Sequence, residues 1–301
     1  MRNKEKNDSS RLQLLIIIIL TLIASMLPEI LFREWRGSVP VNLALYRLII
    51  LLAAGVLMHL LFKMSDVTKY IAVLGTVVAA EMLTRRIFSS VYWQETFDMN
   101  TFAGNFGGSI LLKFIGVLPV VAILLALYKS PAAVYLTKGD LSVKADEISW
   151  LGIKGNTISW GKLAVISAVL ISLGTIALTV LTVTGSSASL NVEALIRYFP
   201  LAVIFAVFNS LSEGILFRSA ILGPLKNVLP KKQAVFTAAM IFGIGHYYGA
   251  PSGIVGVIMS GLLGWYMTRS MYETRGFAAS WIIHFMQDLV IFSTVLMLGQ
   301  Y

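Results

Sequence analysis

The chain has 301 residues, 57% hydrophobic and only 13% charged, where a soluble domain carries about 25% charged residues. That deficit excludes an ordinary soluble domain and points to the polytopic membrane class. Cysteine is absent, which excludes disulfides, thiolate zinc sites and a cysteine nucleophile. The net charge of +9 is carried mainly at the ends of apolar runs, which speaks for membrane topology and against a nucleic-acid partner.

The first apolar run starts at Leu12 and continues past Ala24-Ser25 to Phe32 without a small-x-small cleavage site, so it reads as a retained anchor. In chain order the expected spans are 12–32, 43–62, 69–84, 108–128, 162–184, 195–222, 232–248, 252–268 and 277–298. Each approaches the ~20 residues a crossing helix needs, the third and eighth being short. Of the 24 Lys and Arg, four lie within spans (Arg47, Lys113, Arg197 and Arg218) and four on the far side (Arg33, Arg36, Arg85 and Arg86). The other sixteen fall on the side of the N-terminus, a positive-inside bias that predicts a cytoplasmic N-terminus.

The expected fold is therefore all-α, a polytopic transmembrane helical bundle of about nine spans (8–9). Residues 1–128 form a four-span N-terminal region, 129–161 a cytoplasmic loop and 162–301 a membrane core. The loop alternates polar and apolar residues around Gly-Asp and Gly-Asn turn signals, which suits a small hairpin.

Ionisable residues at bilayer depth are costly and mark function. Glu213 lies ten residues before the Gly223-Pro224 break, and His246 fourteen past Lys232, depths of ~15 and ~21 Å at the helical rise. His284 and Asp288 lie nine and thirteen residues past Arg275, depths of ~14 and ~20 Å. Three spans thus bring two carboxyls and two imidazoles to similar depth, counted from one side. His284 and Asp288, four apart, share a helix face, as do Asn209 and Glu213, so that Asn209 can bond the acid.

These residues fall into three ordered motifs: Glu213-Gly214-Ile215-Leu216-Phe217-Arg218, then Phe242-Gly243-Ile244-Gly245-His246, then His284-Phe285-Met286-Gln287-Asp288. Over about residues 195–298 the chain resembles the CAAX prenyl protease and bacteriocin-processing family (CPBP, also called Abi), whose motifs are E-E-x-x-x-R, F-x-x-x-H and H-x-x-x-N/D. The second Glu of the first motif is Gly214 here. A Glu at that place, four before Arg218, would share its face and pair with it, whereas Glu213 stands about 140° round a regular helix from Arg218. Arg218 then needs another acid, with Glu29, Glu81 and Asp288 as candidates.

The resemblance implies a glutamate-dependent intramembrane peptidase with no cofactor and no metal, acting on a membrane-anchored protein or peptide within the lipid bilayer. It implies that Glu213 and His246 activate a water while His284 and Asp288 face the developing oxyanion, Asp288 as a donor only when protonated. Arg218, Asn209 and Phe242 support them, Arg218 and Phe242 chiefly through structure. One Glu and two His are also the ligand set of several zinc peptidases, although H-E-x-x-H is absent. A lapsed CPBP-like binding or immunity protein is the non-enzymatic alternative, favoured by Gly214. A transporter is a third class, but the sequence shows no inverted repeat or paired broken helices of the sort many transporters have. Ser210 and Ser212 read as helix-packing residues rather than nucleophiles, and His59 as an interhelical contact. The positive-inside pattern fits a prokaryotic inner membrane, with the endoplasmic reticulum left open.

Overall fold

The computed structural model describes residues 2–183 and 190–299, with side chains described over 11–178 and 190–299. The expected end of the fifth span, residue 184, lies outside the described residues. Helix α1 (Arg2–Ala24) is followed by α2 (Leu27–Arg36), α3 (Leu43–Leu60), α4 (Ser65–Phe88), the short α5 (Val91–Thr96) and α6 (Phe102–Tyr128). After the loop come α7 (Trp160–Val183), α8 (Val192–Gly214), a π-helical turn (Ile215–Ser219) and α9 (Ala220–Leu225). The chain closes with α10 (Lys231–Gly245), α11 (Gly253–Thr274) and α12 (Ala278–Leu298).

Among the described residues six stretches are long and apolar enough to cross a membrane: α3, α4, α6, the first nineteen residues of α7, the run Val192–Leu225 and α12. They become seven if α1 and α2, bent by 60° at their junction, form one broken span. Length and apolarity thus support six or seven spans among the described residues, fewer than the eight or nine expected. The difference lies in α10 and α11. With 15 residues, α10 reaches only about 22 Å, short of the ~30 Å hydrocarbon core. Helix α11 is long enough but carries Thr268, Arg269, Ser270 and Glu273. The two pair with each other, and their backbones meet at Gly243, where a Cβ would stand 2.5 Å from the Val257 carbonyl oxygen. Helix α10 is largely buried, whereas the first half of α11 exposes Ile254, Val255, Ile258, Met259 and Leu262. The surfaces of α3 and α7 are likewise apolar: Ile49, Ile50, Leu52 and Val56, and Val165, Ile166, Val169 and Leu170, are all exposed. Such apolar exposure suits lipid contact rather than water.

Charge is buried first at the α1–α2 break. Arg47 of α3 donates to the Ile23 and Ala24 carbonyls at 2.9 and 2.5 Å, satisfying orphan acceptors at the end of α1. The same guanidinium meets Glu29 at 3.3 Å and Glu81 at 3.1 Å, and Arg85 bridges both acids at 2.7 Å. Two arginines and two glutamates therefore balance each other there.

Segment 129–161 holds two isolated antiparallel bridges, Lys144 with Ser159 and Ile148 with Ile153, in the region where a hairpin is expected. The segment docks on the α11–α12 turn: the Asp140 N–H donates to the Thr274 carbonyl, and the Phe277 N–H to that of Thr137. Its main anchor is Glu273 at the end of α11, which accepts from Lys231, Arg269, the Trp160 indole and the Asp146 N–H. Burial alone would raise the Glu273 carboxyl, but these donors outweigh it and lower it from 4.5 to about 2.

Candidate functional site

Helix α8 packs on α12 and α6, and α10 packs beside the π turn. This arrangement gathers Asn209, Glu213, His246, His284 and Asp288 around one point. Glu213 is buried, and its Oε2 makes no hydrogen bond among the described residues. That oxygen lies 3.8 Å from His246 Nε2 and 3.4 Å from His284 Nε2. His284 Nε2 is also 3.6 Å from Asp288 Oδ1.

Each imidazole has one nitrogen whose partner decides its proton. His246 Nδ1 stands 2.7 Å from the Phe242 carbonyl, which only accepts, so Nδ1 carries the hydrogen and the Nε2 of neutral His246 is a free lone pair. His284 Nδ1 stands 2.9 Å from the Arg218 guanidinium, which only donates, so Nδ1 accepts and the hydrogen sits on Nε2. The two rings thus present opposite faces to Glu213 Oε2, an acceptor from His246 and a donor from His284. These tautomers are assigned from the partners.

Arg218 does not pair with an acid as expected. Glu29 and Glu81 are engaged by Arg47 and Arg85, and Asp288 by Asn209 and His284. Arg218 instead bonds His284 and lies over the Phe242 ring at 5.4 Å, with Nε and Nη1 unbonded among the described residues. The cause is local geometry. A π turn closes i to i+5, so the regular-helix phases used to place Arg218 opposite Glu213 do not apply across residues 215–219. Such turns recur at functional sites. The space of the missing second Glu is also taken: a Cβ on Gly214 would collide with the Phe277 ring and press on Arg218.

Phe242 sits among the site's side chains, its ring 4.3 Å from that of His246 and 5.5 Å from that of His284. Asn209 reaches Glu213 indirectly. Its Nδ2 donates to Asp288 Oδ2 at 3.0 Å, and its Oδ1 accepts from Lys113 Nζ at 2.6 Å. Lys113, on α6, also donates to Glu213 Oε1 at 2.7 Å. Sequence reasoning missed Lys113, although a lone lysine inside a span was a visible signal. His59 lies on α3 among the N-terminal helices, apart from the cluster.

Lys113, Asn209, Glu213, His246 and Asp288 line a cavity of about 920 Å³. A second, more apolar cavity of about 590 Å³ adjoins it, with Lys113 and Ser109 forming part of both walls. Among the described residues no group of three His, Asp or Glu side chains is arranged to hold a metal ion. The donor set argues the same way. The nitrogen His284 turns toward Glu213 bears a hydrogen, the reverse of a metal ligand whose far N–H donates outward, and the Lys113 ammonium occupies Glu213 Oε1.

Residues 194–290 match the family model described as type II CAAX prenyl endopeptidase Rce1-like. No curated protein and no solved structure matches the chain. The matched segment supplies every residue of the cluster except Lys113. This chain is a multi-pass integral membrane protein, and its residues 194–290 are similar to the Rce1-like CAAX endopeptidases.

Proposed function

We propose that the protein hydrolyses a peptide bond of a membrane-anchored protein or peptide with a water held between Glu213 and His246. The observation that carries this reading is the opposed pair of imidazoles around Glu213 Oε2. A water there donates one hydrogen to Oε2 and the other to the free lone pair of His246 Nε2, and its oxygen is left to attack a carbonyl. The His284 Nε2–H points into the same space and donates to the oxyanion that develops. Asn209 keeps Asp288 Oδ2 as an acceptor, so a proton on Asp288 sits on Oδ1, 3.6 Å from His284 Nε2. His284 and protonated Asp288 then form a two-donor oxyanion site. Glu213 returns its proton to the leaving amine.

The same reading places the N-terminus and segment 129–161 in the cytoplasm, the four N-terminal spans beside a core of residues 162–301, and the protein in a prokaryotic inner membrane. The test compares protein termini in membranes from cells carrying the wild type and Glu213→Gln, which keeps size and removes the base. New termini that appear only with the wild type support a peptidase and name its substrate. Identical termini, with both proteins folded, transfer the reading to a binding protein whose site has lapsed.

A further inference from the structure

We propose that Lys113 is a positioning residue that sets the hydrogen-bond polarity of the whole site, a role that rests on the peptidase reading above. Lys113 comes from α6, outside the segment matched by the family model, and belongs to none of the three motifs. Its ammonium is donor-only, and it makes two contacts with different consequences.

The first is with Glu213 Oε1 at 2.7 Å. It occupies one carboxylate oxygen and leaves Oε2 as the atom facing both imidazoles. The second is with Asn209 at 2.6 Å. An ammonium cannot accept, so the Asn209 amide must turn its oxygen to Lys113 and its NH2 to Asp288. Asp288 Oδ2 is thereby an acceptor, and any proton on Asp288 goes to Oδ1. One cation thus selects the oxygen of Glu213 that takes the water and the oxygen of Asp288 that donates. The side chains close a ring: Glu213, Lys113, Asn209, Asp288, His284 and back to Glu213. Arg218 sets the remaining member, His284, from outside the ring.

A merely structural lysine would hold α6 to α8 without caring which oxygen is free. The absence of cysteine separates the two roles. In Lys113→Cys the thiol is the only one in the chain, and the site it occupies opens on both cavities. Its thiolate displaces bromide from 2-bromoethylamine, forming a C–S bond and restoring an ammonium at nearly lysine length. Iodoacetamide alkylates the same sulfur with loss of iodide and leaves a neutral amide. The readout is the rate at which the wild-type-dependent terminus appears in membranes.

Lys113→Cys is expected to cut roughly tenfold or more slowly through kcat, with KM little changed, the range in which positioned proton-transfer groups contribute. The aminoethyl adduct is expected to recover most of that rate and the amide adduct none. Wild-type rates in Lys113→Cys, or equal rates in the two adducts, would overturn the proposal. If Lys113→Cys does not fold, Lys113→Arg and Lys113→Gln decide: Arg keeps the donor-only charge and is expected to cut faster, and equal rates overturn the proposal. Identical termini with wild type and Glu213→Gln would sink the peptidase reading and this role together, whereas failure of Lys113 alone leaves that difference intact.

Discussion

Arg218 donates to His284 Nδ1 across 2.9 Å, and this one bond decides which nitrogen of His284 carries its hydrogen. The backbone carbonyl of Phe242 makes the opposite choice for His246. The chain has only three histidines, so 15N-labelled imidazoles can be assigned. We expect neutral His284 as the Nε2–H tautomer and neutral His246 as the Nδ1–H tautomer. The same tautomer on both would contradict the division of roles.

Gly214 and Phe277 form a packed pair. In an unobstructed helix Gly→Ala gains about 1 kcal/mol, so a net loss at this site measures the collision. Gly214→Ala is expected to cost about 1–3 kcal/mol, and Phe277→Ala to relieve part of it, with a coupling of about 0.5–3 kcal/mol in the double-mutant cycle. Thermal unfolding in detergent gives the four values. Simple additivity would show that the ring does not fill the place of the second Glu.

Arg47 and Arg85 share two acids but not an environment. Arg47 is buried and also holds the α1 carbonyls, while the Arg85 side chain is half exposed. Arg47→Met leaves carboxylates uncompensated at the α1–α2 break and is expected to cost about 3–5 kcal/mol. Arg85→Met is expected to cost about 1 kcal/mol or less. Equal melting shifts for the two would refute the reading of Arg47 as the clamp.

Glu273 ties α11 to α10, α7 and segment 129–161. Its folded carboxyl is depressed from 4.5 to about 2. Its stabilisation is therefore fully present above pH 4.5 and is lost as pH falls through about 2. Glu273→Gln is expected to be less stable than wild type by about 2–3 kcal/mol at neutral pH, with the two curves converging in acid. Melting temperatures that differ by the same amount at every pH would contradict this.

The helical class and the four motif residues of the cluster were legible because long apolar runs and ionisable residues at matched depth are strong signals. Glu213, His246, His284 and Asp288 do meet. Three things were not legible. The partner of Arg218 was hidden because a π turn changes the phase of the helix, and nothing in Ile215–Ser219 announces one. Lys113 stood out as a lysine inside a span, but its partners were hidden because they lie about a hundred residues away, beyond any local pattern. The span count of eight or nine is not reached by length and apolarity, because α10 has only 15 residues and α11 carries Arg269 and Glu273.

The central claim is that Glu213 and His246 act as one unit on one water. The direct measurement is the cleavage rate of the identified substrate by wild type, Glu213→Gln, His246→Gln and the double variant, all shown to be folded. Each single change is expected to lower kcat by about 10²–10⁴, and the double variant to be no slower than the slower single, since residues acting as a unit are non-additive. A single variant that keeps the wild-type rate, or losses that multiply in the double, would contradict it.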